Sequence, residues 1–414
     1  MMPLVSLRDL GVAAALAVVV LVAVCPLACV EGEVFVGEDA RGAFHINTTE
    51  GDASVYVNGV DLHALFATVE QQQHTINRLQ AATCKVIPPS ADDDTFAGVA
   101  GTQSSKWVQG VADPATGIIY AIPQDASAVM TINPHTRRVD ANAIPVPGGS
   151  GGSKWAGAVA ASNGLIYGMP NDATSVLIID PRTNTTNTTV LAGLPSASDK
   201  FVSGTQARNG LIFGVPWNAA FVLIIDPATN TMDTTSIAGL DADVSKWDGG
   251  ILAPNGLIYC IPFNAKYVLI IDPDTRTADS TSIAGFSGDQ AWAGGVLANN
   301  GKIYGIPDHA SSVLIIDTAT NAFDTTTLSG LSSADGSKWT GGALISHNRI
   351  VGVPYSSSAV LIVDAANNTT DTTTITGLGT DTGKWWGGVL ASNGNVYAIP
   401  HKSDTVLVIE PGCA

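Results

Sequence analysis

From Lys106 to the end, the chain repeats one alternation of apolar runs and polar turns. The stretch from Ser245 to Phe286 shows it best, with four apolar pieces separated by turn residues. Each piece is short, rich in β-branched residues and bounded by Gly, Pro or Asn-Gly, which predicts strands rather than helices. The expected strands are Asp248–Ala253, Leu257–Ile261, Tyr267–Ile271 and Ser280–Ala284. Alignment on a Lys-Trp pair finds seven copies, at Trp107, Trp155, Phe201, Trp247, Trp292, Trp339 and Trp385. A period in the mid-forties with four strands per unit predicts propeller blades. The fold expected is therefore an all-β, seven-bladed β-propeller of four-stranded blades over residues 94–412.

Turn chemistry repeats with the strands. The first hairpin of each copy ends in Gly117, Gly164, Gly210, Gly256, Gly301, Asn348 or Gly394, so a positive φ is expected there. The third strand closes on Asp180, Asp226, Asp272, Asp317 or Asp364, with Asn133 and Glu410 in the outer copies. These acids are expected to fold turns and not to bind calcium, since none belongs to a D-x-D-x-D-G loop. The last copy stops after its third strand. The run from Asp94 to Ala100 resembles the fourth-strand region beginning at Asp233, so it is expected to complete blade seven and close the ring.

Upstream, the periodicity changes twice. Leu10–Val30 is apolar almost throughout and reads as a secretory signal within residues 1–30, or as an uncleaved anchor. Residues 31–60 are mixed and polar, with one strand expected at Ser54–Asn58. Asp61 is a candidate helix cap, followed by Leu62, Leu65, Val69, Ile76 and Leu79 at a 3-4 spacing. Residues 61–80 are thus a short helix, either a coiled coil that makes a homo-oligomer or a helix packed on its own chain. Residues 81–93, with Pro88-Pro89, form a stiff linker.

The net charge of −17 argues against nucleic acid as a partner, because phosphate binding needs a basic stripe. Cys84 and Cys413 flank the array and would meet at the closure, so a disulfide between them is expected. Cys260 is expected to be a buried thiol. No CxxC or HExxH pattern occurs, so neither a metal nor a cofactor is expected. Glycosylation sequons at Asn47, Asn184, Asn187, Asn367 and Asn368 agree with a secreted or cell-surface location.

The unit Gly250–Gly256, Ile258–Tyr259 and Leu269–Thr277, with its echo at Val313–Asn321, resembles the YVTN β-propeller repeat. The resemblance covers residues 94–412. It implies the propeller fold and a secreted or surface-associated protein, and related propellers include lactonases and lyases. The chain departs from that repeat in its Ser-Lys-Trp-x-Gly-Gly opening and in the Ile-Pro that closes strand two.

Candidate chemistry gathers where the strand four-to-one and two-to-three loops share a face. Lys106, Lys154, Lys200, Lys246, Lys338 and Lys384 hold one repeat position and would ring an entrance for an anionic or glycan ligand. The alternative is that Trp packs between blades while Lys lies over it or pairs with Asp. Residues that differ between copies are the better recognition candidates: Trp217, Phe263, Asp308, His309, Tyr355 and His401. His309 and His401 with Asp308 could also serve acid–base or metal chemistry, although no nucleophile elbow is present. Three functions follow. The first is a non-enzymatic binder of an extracellular glycan, peptide or matrix partner through this face. The second is a hydrolase or lyase, lactonase-like, acting at the channel mouth. The third is a structural cell-wall or coat protein.

Overall fold

The structure is a computed structural model. It describes residues 88–96, 98, 105–149, 151–332 and 336–412, with residue 72 and the backbone of strands at 34–38, 44–48, 56–57 and 60–61. The chain divides into two compact units, Met1–Val86 and Ile87–Ala414. In the first, Val34–Glu38 pairs antiparallel with Phe44–Thr48, and Tyr56–Val57 with Val60–Asp61. The first pair lies in a stretch read as mixed and polar, where the one strand expected was at Ser54–Asn58. Asp61 pairs with Tyr56 in the second and so is a strand residue rather than the helix cap expected of it. The signal segment, the apolar series Leu62 to Leu79, and Cys84 and Cys413 lie outside the described residues.

The second unit is a ring of seven four-stranded antiparallel sheets. Blade four is Trp247–Leu252, Ile258–Pro262, Leu269–Asp272 and Thr277–Asp279. The first three strands fall within two residues of expectation. The fourth does not, because Asp279 ends it. Its carboxylate accepts the backbone N–H groups of Thr281 (2.7 Å) and Ser282 (3.1 Å) and bends the chain out of the sheet. The β-branched run that suggested a strand at Ser280–Ala284 returns only at a single bridge between Ala284 and Tyr267.

The same turn moves the closing strand. Blade seven is completed by Ser90–Asp92 against Leu407–Glu410, with Asp92 opposite Val408. The expected segment, Asp94 to Ala100, starts two residues too late. Asp92 is the equivalent of Asp233, and its carboxylate takes the N–H groups of Asp94 (3.0 Å) and Thr95 (2.9 Å). The chain therefore leaves the sheet where the sequence match had placed the strand's beginning.

The turn residues behave as their chemistry requires. All six hairpin glycines and Asn348 have positive φ. Asp226 accepts the N–H of Ala228 (2.9 Å), Asp272 that of Asp274 (2.9 Å) and Asp364 that of Ala366 (2.9 Å). These carboxylates are turn-formers.

The core lies between blades rather than within one. Phe213, Val215 and Ile224 of blade three pack with Trp247, Ile258 and Cys260 of blade four, and equivalent clusters fill the other junctions. Each such side chain contributes about 1.5–3 kcal/mol on full burial. Cys260 is buried and unpaired in this layer, and burial pushes its thiol pKa up.

At the axis the first strands come close enough to need glycine. A methyl placed on Gly249 would lie 2.9 Å from the Cα of Gly294, one on Gly294 2.9 Å from Gly341, and one on Gly341 3.0 Å from Gly387. At Gly157 (φ +69°) it would lie 2.5 Å from the Val202 carbonyl oxygen. Gly157→Ala is expected to lose about 3 kcal/mol, combining a left-handed backbone with a backbone clash. Gly164→Ala shares the positive φ (+81°) but meets nothing within 4 Å, and should lose only about 1 kcal/mol. Urea unfolding of the two variants checks the difference. The glycines form a collar around the channel, and the candidate site sits on one side of it.

Candidate functional site

Two positions recur in every blade near the channel and differ in residue type around the ring, forming an outer and an inner set. The outer ring follows the proline that ends each second strand: Gln124, Asn171, Trp217, Phe263, Asp308, Tyr355 and His401. The inner ring follows the repeated aromatic in each first strand: Val108, Ala156, Val202, Asp248, Ala293, Thr340 and Trp386.

Backbone hydrogen bonds fix the outer ring. The carbonyl of each member accepts an N–H from the start of the next blade. Lys154 donates to Gln124 (2.9 Å), Lys200 to Asn171 (3.0 Å), Lys246 to Trp217 (2.9 Å) and Ala291 to Phe263 (2.9 Å). Lys338 donates to Asp308 (3.1 Å), Lys384 to Tyr355 (2.8 Å) and Lys106 to His401 (3.0 Å), which closes the circle. Every blade is thus latched to its neighbour directly beneath the residues that differ.

The six lysines do not present their charge to a ligand. All are buried, Lys246 at 1% exposure. Five of the ammonium groups donate to backbone carbonyls: Lys154 to Gly151 (3.0 Å), Lys200 to Ala197 (2.7 Å), Lys246 to Asp243 (2.9 Å), Lys338 to Asp308 (2.6 Å) and Lys384 to Asp381 (3.1 Å). Lys246, Lys338 and Lys384 also lie over their own indoles at 5.6–5.7 Å. Burial lowers the pKa of Lys106, Lys246 and Lys384 to about 8. The adjoining tryptophans are equally architectural. Trp247 donates its indole N–H to the Tyr267 carbonyl (3.0 Å), and five other blades repeat the bond. Five of the six lysines are thus loop staples rather than the expected entrance, for the physical reason that an uncharged carbonyl lies within reach of each of those ammonium groups.

The idiosyncratic residues do converge, in two groups. Trp217 and Phe263 pack at 4.8 Å with their rings tilted by 42°, both half-buried. Tyr355, Trp386 and His401 form the second group, with centroids 5.2–5.9 Å apart. His401 is buried, with Nε2 3.3 Å from the Gln124 amide oxygen and Nδ1 3.3 Å from the Gly383 carbonyl. Burial lowers its pKa to about 4, so it is neutral at physiological pH.

Between the aromatic groups stand the acids. Asp308 is 2% exposed and its Oδ1 is 2.5 Å from His309 Nδ1. At the position of His309, other blades carry Asp125, Asp172, Asn218 or Asn264, each accepting a backbone N–H from the next blade. His309 has left that duty, and Asp308 takes a hydrogen bond from Ser337 as well. Burial raises the Asp308 pKa, while His309, Ser337 and Lys338 oppose the rise. Asp248, in the inner ring, is 1% exposed and its Oδ1 has no hydrogen-bond partner. Burial, with a smaller push from the Asp308 charge, moves its pKa up to about 7.

Sequence reasoning missed Asp248 and Trp386. The signal was available, since the residue after the aromatic is small or aliphatic in five blades and departs from that in these two. Among the described residues no cluster of three or more metal-ligating side chains occurs. A cleft of about 610 Å³ opens between blades five and six beside Asn300, Phe323 and Asn368. Its Asp317 and Asp324 are already bonded within turns.

No known family profile matches the chain, and no curated protein matches it. Solved structures do. Streptogramin B lyase superposes with a TM-score of 0.57 at 11% identity, covering 78% of this chain and 98% of that one. A catalytically inactive virginiamycin B lyase from Staphylococcus aureus with quinupristin gives 0.61 at 11%, covering 77% and 98%. The extracellular domain of a putative one component system from B. thetaiotaomicron gives 0.54 at 9%, covering 77% and 39%. What is shared is the seven-bladed fold. At these identities the likeness carries no residue roles. Among the described residues no helix is long and apolar enough to cross a membrane.

Proposed function

We propose that the protein is a secreted or cell-surface binding propeller whose ligand site is the channel mouth. One observation carries this reading. The blades repeat their latches, staples and turns, yet they diverge at the two positions that surround the mouth. Packing alone predicts repetition at both positions. Half-exposed Trp217, Phe263, Tyr355 and Trp386 on rigid strand ends suit an extracellular glycan or peptide. A glycan and peptide array probed with the full chain tests it. Trp217→Ala should weaken the leading ligand at least tenfold while leaving the melting temperature within a few degrees. An unchanged array profile for that variant would refute the mouth as the site.

One observation favours a second reading, that of a hydrolase or lyase. The buried Asp308 holds His309 by Nδ1, which is how a carboxylate orients an imidazole for general base work. Turnover of the array ligand by the native chain, lost in His309→Gln, would select this reading over simple binding.

A further inference from the structure

We propose that the group recognised at the mouth is a cation, an ammonium or guanidinium that enters between Asp248 and Asp308. The inference rests on the mouth being the ligand site and adds the chemistry of what it takes.

The geometry supports a positive guest in three ways. Asp248 and Asp308 come from adjacent blades and from the inner and outer sets, and each is at most 2% exposed. The Asp308 charge acts on Asp248. A buried carboxyl oxygen without a partner is uncommon, since its desolvation is uncompensated. Asp248 Oδ1 is such an oxygen. Lys200 and Lys246 donate their ammonium groups to the carbonyls of Ala197 and Asp243, while the Lys338 charge acts on Asp308 and leaves Asp248 Oδ1 without a partner. Finally, aromatic faces stand to either side in the ring order, Trp217 and Phe263 before Asp308, Tyr355 and Trp386 after it. Aromatic faces with carboxylates select ammonium and guanidinium groups over anions. The raised pKa of Asp248 agrees, being the response of a carboxyl that has lost water and gained no cation.

The same chemistry could come from a basic peptide side chain or from an amino sugar, and the probes separate them. Isothermal titration of the full chain would use N-acetyl-lysine methylamide, N-acetyl-arginine methylamide and glucosamine. Each would be paired with an uncharged counterpart: the Nε-acetylated lysine, the citrulline analogue and N-acetylglucosamine. At least one cationic probe should bind tenfold or more tightly than its counterpart. Asp248→Asn and Asp308→Asn should each remove that preference, with indole fluorescence no longer responding to the probe. Asp248→Asn keeps the side chain's shape and removes an unfavourable charge, so its folding is not at risk. Equal binding of charged and uncharged partners, binding of no probe, or a preference that survives Asp248→Asn would overturn the proposal. If an uncharged array ligand binds and is lost in Trp217→Ala, the mouth stands and the cation assignment falls. If Trp217→Ala alters no ligand, the mouth itself falls.

Discussion

Trp247→Ala is expected to lower stability by about 4 kcal/mol, whereas Trp217→Ala, 30 residues away, should lower it by about 1 kcal/mol. The contrast follows from what each indole touches. Trp247 is 0% exposed, fills the junction of blades three and four beside Phe213, Val215 and Cys260, and donates its N–H to the Tyr267 carbonyl. Truncation leaves a cavity and strands that carbonyl. It also removes the surface over which Lys246 lies and the edge-on contact with Tyr267 at 5.4 Å. Trp217 rests on Phe263 at the rim, half-buried, and its removal is partly made good by water. Chemical unfolding gives both numbers from shifts in midpoint at constant slope. Equal losses would mean that the repeated tryptophan is not the structural one.

The second large effect is in pH. The Asp248 carboxyl titrates at about 7 in the folded chain against an ordinary value of 3.8. Between about pH 4 and 7 the unfolded chain has released this proton while the folded chain holds it. Stability therefore falls as pH rises across that window, by about 4 kcal/mol in all. His401 acts in the opposite sense. Its pKa drops from 6.5 to about 4, so the unfolded chain takes up a proton first as pH falls, and stability is lost from pH 6.5 down to 4. The two slopes oppose each other from pH 4 to 6.5. Above that only the Asp248 loss continues, to its end near pH 7. Below pH 4 the turn carboxylates take over, since Asp279, held at about 2 by hydrogen bonds from Ser282 and Thr281, is ionised in the fold and protonated in the unfolded chain. Native stability should thus be nearly flat from pH 4 to 6.5 and lower on either side. Asp248→Asn should gain about 4 kcal/mol relative to the native chain between pH 4 and 8. A constant difference across that range would show that Asp248 ionises normally.

Much of the architecture is legible in the repeat itself. The spacing of the Lys-Trp pairs located every blade, and the Gly or Asn at each hairpin announced its positive φ. What misled was local. The Ser-Thr-Ile run after Asp279 has the composition of a strand, but a carboxylate capping two N–H groups outweighs that preference. The match of Asp94 to Asp233 was off by two because Asp92, Asp93 and Asp94 look alike in sequence and only one caps the turn. The site was less legible for a different reason. A lysine's partner is invisible when it is a backbone carbonyl, so Lys246 read as a charge on offer while it was bonded to Asp243. Trp217, Phe263, Asp308 and Tyr355 stand out in the sequence because they break the repeat. Asp248 was passed over because its neighbour in sequence is the most conspicuous residue in the unit.

The seam formed by Ser90–Asp92 has a consequence for how the ring assembles. Other strand pairs within a blade join residues close in sequence, whereas Ser90 meets Glu410 across 320 residues. Closing so long a loop is about 3 kcal/mol less favourable in chain entropy than closing one of ten residues. Three residue pairs repay it. Blades can therefore form locally and in any order, but the circle is completed last and slowly. It is also the first place to open. Amide exchange should be fastest, within the strands, along Leu407–Glu410, and the native ring should breathe at this one joint while its other blades stay shut.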